Sequence, residues 1–163
     1  MINTLARPAD DIEKMVHTYG NMLFRLCIVT LGNDSDAKDA VQETFIKYMK
    51  KAPKFKNDEH KKAWLIKVAT NQCRDILRSK KRHQTVSIDE INEYMEEGAE
   101  TMMLDLLMTL PDRFRIVLFL YYVEEYEIKA VADIIGKTPS AVKMRLKKGR
   151  QLLKEEYENW VNK

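Results

Sequence analysis

The sequence predicts an all-α protein made of two small helical domains that are joined by a flexible acidic linker. Glycine and proline are scarce, with five and four residues in a chain of 163, and that balance favours helices over sheets. Apolar residues recur at steps of three and four, which is the period of an amphipathic helix. This period fades in the polar, acidic stretch 84–98. We therefore expect one domain at 1–83, a linker at 84–98 and a second domain at 99–163.

Three helices are predicted in the first domain, at residues 9–31, about 34–51 and 59–79. Turn chemistry at 32–34 separates the first two, Asp34 or Ser35 can cap the second helix, and Pro53 follows its end. The two cysteines lie in apolar stripes, which indicates small buried side chains. The inward-facing residues are expected to be Ile12, Val16, Tyr19, Leu23, Leu26 and Cys27, then Ala37, Val41, Phe45 and Tyr48, then Leu65, Val68, Ala69, Cys73, Ile76 and Leu77.

The second domain is predicted to end in a helix-turn-helix. Apolar periodicity returns at residues 102–110, a helix follows Pro111 to about Val123, and two more are expected at 128–135 and 139–160. Gly136 lies where a helix C-terminus needs a left-handed residue, and Thr138 with Pro139 forms the start of the next helix. A connection this short suits two helices packed at a steep angle. The core-facing residues of the last helix are Val142, Leu146, Leu152 and Leu153.

Charge is distributed in blocks that the net charge of +3 conceals. Residues 54–82 contain ten Lys/Arg and three Asp/Glu, residues 84–112 contain eight acids and no base, and residues 137–154 contain seven bases and no acid. Two basic blocks separated by an acidic one indicate two anion-binding surfaces on separate domains.

Three polar surfaces are expected on these helices. The last helix directs cations and one methionine outward, and this arrangement fits a DNA major groove. These residues are Lys143, Met144, Arg145, Lys147, Lys148 and Arg150. On the face opposite its core-facing stripe, the third helix carries an aromatic residue that can stack on a base, an amide and several cations; these are Trp64, Lys67, Asn71, Arg74 and Arg78. The loop before this helix adds an aromatic–basic pair, Phe55 and Lys56. The second helix presents an acidic face with one apolar member, which DNA would repel and a protein partner could bind; it consists of Asp39, Gln42, Glu43 and Ile46.

Several function classes are excluded or disfavoured by composition. No apolar run approaches the roughly 18 residues of a membrane span, and no signal peptide is recognisable at the N-terminus, so we expect a cytoplasmic chain that is not inserted in a membrane. The histidines and cysteines have no metal-ligand spacing. There is no glycine-rich phosphate loop and no convincing pair of nucleophile and base. We therefore expect no cofactor, no metal and no enzymatic activity.

The motifs resemble those of bacterial sigma factors of the sigma-70 family, in family order along nearly the whole chain. Residues 36–45, DAKDAVQETF, look like the segment that binds core RNA polymerase. Residues 64–71, WLIKVATN, with the Arg-rich continuation to Arg82, resemble the region that melts and reads the −10 promoter element. Residues 110–118, LPDRFRIVL, resemble the start of region 4, and residues 140–150, SAVKMRLKKGR, resemble its recognition helix. The short linker in place of a folded middle domain is similar to the extracytoplasmic-function (ECF) group.

This resemblance implies that the chain binds core RNA polymerase and promoter DNA, assists strand opening, and has an anti-sigma factor as a further partner. By the same resemblance, the acidic face of the second helix meets the polymerase. Phe55 and the loop after it would hold a flipped non-template base, and Asn71 would read a base edge beside it, with Trp64 and Lys67 supporting the opened duplex. Lys143, Met144 and Lys147 would face bases of the −35 element. Arg145, Lys148 and Arg150 would contact phosphates.

Three alternatives are considered from the residues themselves. A helix-turn-helix repressor or activator would use the last helix on DNA, usually as a dimer on a palindrome, but it would not need the acidic face of the second helix. A nucleic-acid-modifying enzyme lacks a recognisable catalytic set in this sequence. A pure protein-interaction bundle would leave both basic rows unexplained.

Overall fold

A computed structural model describes residues 7–79 and 99–163, with side chains from residue 102 in the second range, and its regular elements are helices. The predicted linker, 84–98, lies outside the described residues. The helices are α1 (Ala9–Leu31), α2 (Asp34–Lys51), α3 (Asp58–Ser79), α4 (Ala99–Met108), α5 (Asp112–Leu118), α6 (Ile128–Ile135) and α7 (Pro139–Val161). A π-helical turn, Phe119–Val123, continues α5. The all-α prediction is confirmed, and so are the helices that the sequence predicts at these positions.

The first domain is a bundle in which α1, α2 and α3 pack on one another. Half of the predicted stripe residues are buried, including Leu23, Leu65 and Tyr48, none of which exposes measurable surface, and the others except Val16 are half-buried. Cys27 and Cys73 are both buried and free, as predicted. A hydrogen bond with Cys27, together with burial, raises the pKa of the Cys73 thiol.

Two details of the first domain differ from the prediction. Val16 was expected to face inward, but 44% of its surface is exposed, because the buried stripe of α1 passes from Met15 to Leu23 on the other side of it. The N-cap of α2 is Asn33, and not Asp34 or Ser35. Its side-chain oxygen accepts a hydrogen bond from the Asp36 N–H at 2.9 Å, which places the cap one residue earlier and leaves Asp34 in the first turn.

The helix-turn-helix of the second domain forms as its turn residues predict. Gly136 ends α6 with φ 68° and ψ 38°, a left-handed conformation that costs glycine little. Thr138 caps α7 by accepting a hydrogen bond from the Ala141 N–H at 3.1 Å, and Pro139 occupies the first turn. Later in α7, a Cβ on Gly149 would lie 3.0 Å from Leu118 Cδ1, so glycine lets α7 pack close to α5.

The two domains pack on each other through α1 with α5 and α3 with α6. Lys62 on α3 forms an ion pair with Glu124, with 2.9 Å between Nζ and Oε2. Arg115 on α5 donates to the carbonyl oxygen of Thr30 at 3.4 Å, and Arg74 on α3 donates to the carbonyl oxygen of Ile135. Burial by itself would lower the pKa of Lys62, but the hydrogen bond to Glu124 and its negative charge raise it. These polar contacts and a continuous cluster of buried apolar residues from both domains hold the two domains in a closed arrangement.

Within the described ranges, no helix is long and apolar enough to cross a membrane. In the same part of the chain, no group of three or more His, Cys, Asp or Glu side chains is arranged to hold a metal ion.

The ion pair between the domains leads to a testable prediction. Lys62→Glu should place two negative charges side by side and destabilise the closed arrangement by about 1 kcal/mol, the scale of a partly exposed ion pair. Small-angle X-ray scattering should then report a larger radius of gyration than for the unmodified chain. Adding Glu124→Lys should restore closure, whereas Lys61→Glu at the neighbouring position should leave it unchanged. Scattering curves that coincide for the single variant and the parent would contradict this role of the pair.

Candidate nucleic-acid and partner interfaces

The acidic face predicted on α2 is present as a surface. Asp39 and Gln42 are exposed, while Glu43 and Ile46 are half-buried. The residues lie at steps of three and four, so they share one side of the helix. A carboxylate pair that remains at the surface beside an apolar side chain repels DNA and suits a protein partner.

The structure adds a groove beside this face that the sequence analysis missed. Its volume is about 390 Å³, and it is lined by Phe24, Lys38, Val41, Gln42, Phe45, Ile46 and Met49. Val41 and Phe45 were expected in the core, but each is half-buried, because α1 supplies Phe24 opposite them and leaves a cleft instead of closing over them. Met49 is 38% exposed at the groove. The face therefore combines acidic side chains with an apolar cleft that a partner's side chains can enter.

The row predicted on α3 is divided between exposed and packed residues. Lys67, Asn71 and Arg78 are exposed, as the prediction requires of residues that contact nucleic acid. Trp64 is half-buried and packs edge-on against Phe55, with 5.7 Å between ring centroids. The Trp64 ring is therefore partly accessible at the surface and partly packed against the core.

Arg74 does not stand free in the closed arrangement. It is half-buried and donates to the carbonyl oxygen of Ile135, at the end of α6. Carbonyls in the last turn of a helix lack intrahelical partners and carry partial negative charge, which favours a cation there. The predicted contact between Arg74 and DNA thus requires that the guanidinium leave this partner. Sequence periodicity cannot reveal such a contact, because the contact joins two domains.

The loop at 52–57, between α2 and α3, carries Phe55 in a small aromatic cluster. Phe55 stacks parallel to Tyr48, with 6.3 Å between centroids, and meets His60 edge-on at 5.4 Å. Lys56 is exposed, and its backbone N–H donates to His60 Nδ1 at 3.3 Å. Asn57 accepts from the His60 N–H at 2.8 Å and so caps α3. The loop is therefore tied to both helices that it connects.

Tyr48 is fully buried beneath this loop. Its hydroxyl donates to Asp11 Oδ2 at 2.8 Å. Burial and this hydrogen bond raise the pKa of Tyr48 to about 12, so the hydroxyl keeps its proton at neutral pH. The ring supports Phe55 from below and Trp64 from the side, with 6.4 Å between the centroids of Tyr48 and Trp64.

The outward side of α7 carries the residues predicted to meet a major groove. Lys143, Lys147 and Lys148 are exposed, and Met144 exposes 73% of its surface. A methionine this exposed gains nothing from the domain core, so its apolar surface is available to a ligand. Arg145, predicted beside this row, is half-buried.

Arg150 lies at a second apolar groove, between α4, the π-helical turn and α7. Its Nη1 donates to the Tyr122 hydroxyl at 3.3 Å. The groove has a volume of about 390 Å³, and its lining includes Met102, Met103, Leu153 and Tyr157. This groove was not predicted from the sequence, in which Met102 and Met103 show only as apolar positions of a helix.

Two family profiles match the chain in sequence order. The profile described as Sigma-70 region 2 matches residues 15–83, and the profile described as Sigma-70, region 4 matches residues 100–153. The first match covers the α1–α3 bundle, with the α2 face and the α3 row, and the second covers the helix-turn-helix through most of α7.

Similar proteins include three from Bacillus subtilis. The RNA polymerase sigma factor SigV is 29% identical over 136 residues, which is 80% of this chain and 81% of SigV. The ECF sigma factor SigW is 26% identical over 166 residues, with 90% of this chain and 89% of SigW covered. The ECF sigma factor SigM is 27% identical over 160 residues, with 93% and 98% covered.

Two solved structures share the fold. CnrH, in complex with the cytosolic domain of CnrY, superposes with a TM-score of 0.67 at 20% identity and covers 96% of this chain and 93% of its own. The sigma factor RpoE, in complex with the anti-sigma factor NepR from Bartonella quintana, gives a TM-score of 0.64 at 17% identity, with 92% and 98% covered. Because the two profiles lie in order on the two helical domains and the relatives align over most of their lengths, the chain belongs to the sigma-70 family of sigma factors, in its extracytoplasmic-function group.

Proposed function

We propose that the chain is an alternative sigma factor that binds core RNA polymerase, directs it to specific promoters and assists strand opening. The observation that carries this proposal is the presence, in one chain, of an acidic apolar face and two separate cationic rows. The face lies on α2, and the rows lie on α3 and α7. One surface suits a protein and two suit nucleic acid. A sigma factor needs all three.

The polymerase contact in this proposal is the α2 face. Asp39, Gln42 and Glu43 supply polar contacts, and Ile46 borders the groove that leads to Phe45 and Met49. Apolar insertion into such a groove provides most of the binding free energy, while the acidic rim selects a basic partner surface.

The −10 contact is formed by α3 and by the loop at 52–57, which we call the base-capture loop. Phe55 offers its aromatic ring to a flipped non-template base, and Lys56 offers a cation to its phosphate. Asn71 has an exposed amide on α3 and reads a base edge, with Lys67 beside it. Stacking on an aromatic ring contributes about 1–3 kcal/mol per base, comparable to the cost of unstacking that base from the duplex. The loop can therefore trap a strand once it opens.

The −35 contact is the outward side of α7. Lys143, Met144 and Lys147 face the bases, and Lys148 contacts the phosphate backbone, with Arg145 and Arg150 as further phosphate ligands. The N-terminal turns of α7 carry several of these side chains, and in helix-turn-helix proteins this end of the recognition helix enters the major groove.

The two promoter contacts require the domains to separate. Elements centred about 25 base pairs apart lie about 85 Å apart along B-DNA, at ~3.4 Å per base pair. Two packed domains of this size, each with a radius of gyration of about 11 Å, cannot reach both. Opening also releases Arg74 from the Ile135 carbonyl and returns it to the α3 row. The closed arrangement is thus a form of the protein that does not engage both elements.

Further features of the proposal concern partners and location. Because RpoE and CnrH have structures with NepR and the cytosolic domain of CnrY, we include an anti-sigma factor among the partners of this chain, and assign to it the same α2 face that polymerase uses. The chain acts in the cytoplasm, where the polymerase is. It supplies no catalytic groups, since the polymerase performs the chemistry. A helix-turn-helix repressor or activator is not favoured, because it leaves the α2 face without a role.

Run-off transcription tests the proposal. Sigma-free core polymerase of the cognate bacterium, incubated with this protein and a promoter library, should initiate at new discrete sites. Glu43→Lys should abolish these starts, because it places a cation on the acidic rim and weakens polymerase binding by about tenfold or more. The matched reversal Glu13→Lys, at an exposed position on α1, should leave them intact. Sequence-specific DNA binding by the protein without any initiation would instead support a repressor or activator.

Asn71→Ala should impair promoter opening more than polymerase binding. Loss of an amide that reads a base edge removes about 1–3 kcal/mol of discrimination, but it removes no contact with the polymerase. Permanganate reactivity of the opened strand measures the first quantity, and fluorescence anisotropy of labelled protein with core polymerase measures the second. Asn21→Ala, at an exposed position on α1, is the matched control. Equal losses in both assays would mean that Asn71 is structural.

Lys143→Ala and Lys148→Ala separate base contacts from phosphate contacts. We expect Lys143→Ala to change the preference among upstream sequences, whereas Lys148→Ala should weaken binding to all of them alike and reduce the salt slope by about one unit. Competition binding on a set of single-base variants of the upstream element, repeated at several salt concentrations, distinguishes the two. Identical behaviour would contradict the division of α7 into base-facing and phosphate-facing residues.

A further inference from the structure

Arg7 makes an unusually dense set of contacts for a residue that precedes the first helix. Its Nη1 donates to the Tyr48 hydroxyl at 3.2 Å. Its Nη2 donates to two successive carbonyl oxygens, those of Ala52 at 3.3 Å and Pro53 at 2.9 Å. Asp11 Oδ2 lies 3.5 Å from Nη1, and one quarter of the Arg7 side chain is exposed. Arg7 also lies outside the range 15–83 that matches the region 2 profile.

These contacts converge on the start of the base-capture loop. Ala52 is the C-cap of α2, with an extended backbone, and Pro53 follows it, so their carbonyls lie beyond the hydrogen-bond ladder of that helix. The guanidinium carbon lies 4.4 Å from the centroid of the Tyr48 ring and 5.7 Å from that of Phe55. One side chain thus holds both the backbone at the start of the loop and the aromatic pair beneath its tip.

We propose that Arg7 is a positioning residue for −10 recognition, which holds the base-capture loop in the conformation that presents Phe55 and Lys56 to the opened strand. This proposal rests on the function proposed above for that loop. The planar guanidinium is suited to the task, because Nη1 donates to the Tyr48 hydroxyl and Nη2 to two carbonyls while its face lies on a ring. A loop that is ordered in advance does not lose conformational entropy when the base arrives, so more of the binding free energy is retained.

Arg7 acts through the loop and not on the DNA. Its donors are directed to Tyr48, Ala52 and Pro53, and three quarters of the side chain is buried. A phosphate contact would need those donors. The two modes of action therefore predict different salt dependence, because only a direct phosphate contact changes the number of counterions released.

The test uses holoenzyme assembled from core polymerase and this chain, and a fluorescent single strand that carries the non-template −10 sequence of a promoter found by run-off transcription. Arg7→Gln should raise the Kd for this strand about tenfold, with a salt slope parallel to that of the parent. Affinity for core polymerase and for the −35 duplex should not change. Arg7→Lys keeps the charge without the planar guanidinium and should give an intermediate Kd. Lys14→Gln removes the same charge from an exposed position on α1 and should behave like the parent.

Three results would overturn the proposal. An unchanged Kd for Arg7→Gln would show that the loop is ordered without Arg7, and a salt slope reduced by about one unit would show a direct phosphate contact. If Arg7→Gln and Arg7→Lys both weaken strand binding and polymerase binding alike and both lower the thermal unfolding temperature, Arg7 has a general role in stability. A failure of the parent holoenzyme to initiate anywhere would count against the proposed function, and it is recorded before any variant is made.

Discussion

The packing of the first domain depends on the hydrogen-bond partners of one buried phenol side chain. Tyr48 has no exposed surface, and a buried hydroxyl without a partner is costly. Its hydroxyl donates to Asp11 and accepts from Arg7, which fixes the start of α1 against the end of α2. Its ring supports Phe55 and Trp64. Because the same side chain is a core residue and a support for the surface above it, the core of this domain and the surface that we propose for −10 recognition cannot be altered independently.

Much of the fold could be predicted because its signals are local. The end of α1 follows from an apolar stripe that stops at Gly32, whose φ of 65° is left-handed. The turn before α7 follows in the same way from Gly136, Thr138 and Pro139. Exposure of Lys67, Asn71, Lys143 and Lys147 follows from helical periodicity alone, since a residue opposite the core stripe of an amphipathic helix faces outward.

What could not be predicted are contacts between residues that are distant in sequence. Arg7 reaches Pro53 across 46 positions, and Arg74 reaches Ile135 across 61, so no window of sequence contains both partners. The grooves are concavities between helices, and Val41 or Phe45 shows the same periodicity whether α1 closes over it or leaves a cleft. The π-helical turn depends on a hydrogen bond from Glu124 N–H to the Phe119 carbonyl at 3.1 Å, which adds one residue to the turn without a change in the apolar pattern.

The closed arrangement constrains how a partner can open the protein. A ligand shifts a conformational equilibrium by the difference between its affinities for the two states, and a ligand with equal affinities shifts nothing. Asp39 and Gln42 are exposed while the domains are closed, so a partner that binds the α2 face alone gains nothing from opening. The equilibrium shifts toward the open form if one rigid partner binds both domains at sites that are farther apart than the closed form permits. Once the first domain is bound, the second contact is intramolecular, and only the open form has the separation that it requires. The polar contacts that resist this separation are the ion pair of Lys62 with Glu124 and the two hydrogen bonds from Arg74 and Arg115, and they add to the apolar packing of α1 on α5 and of α3 on α6. An interface of this kind can keep the two surfaces that we propose for DNA binding too close together to reach both promoter elements in the free protein, and it can still open for a partner that holds the domains at two points.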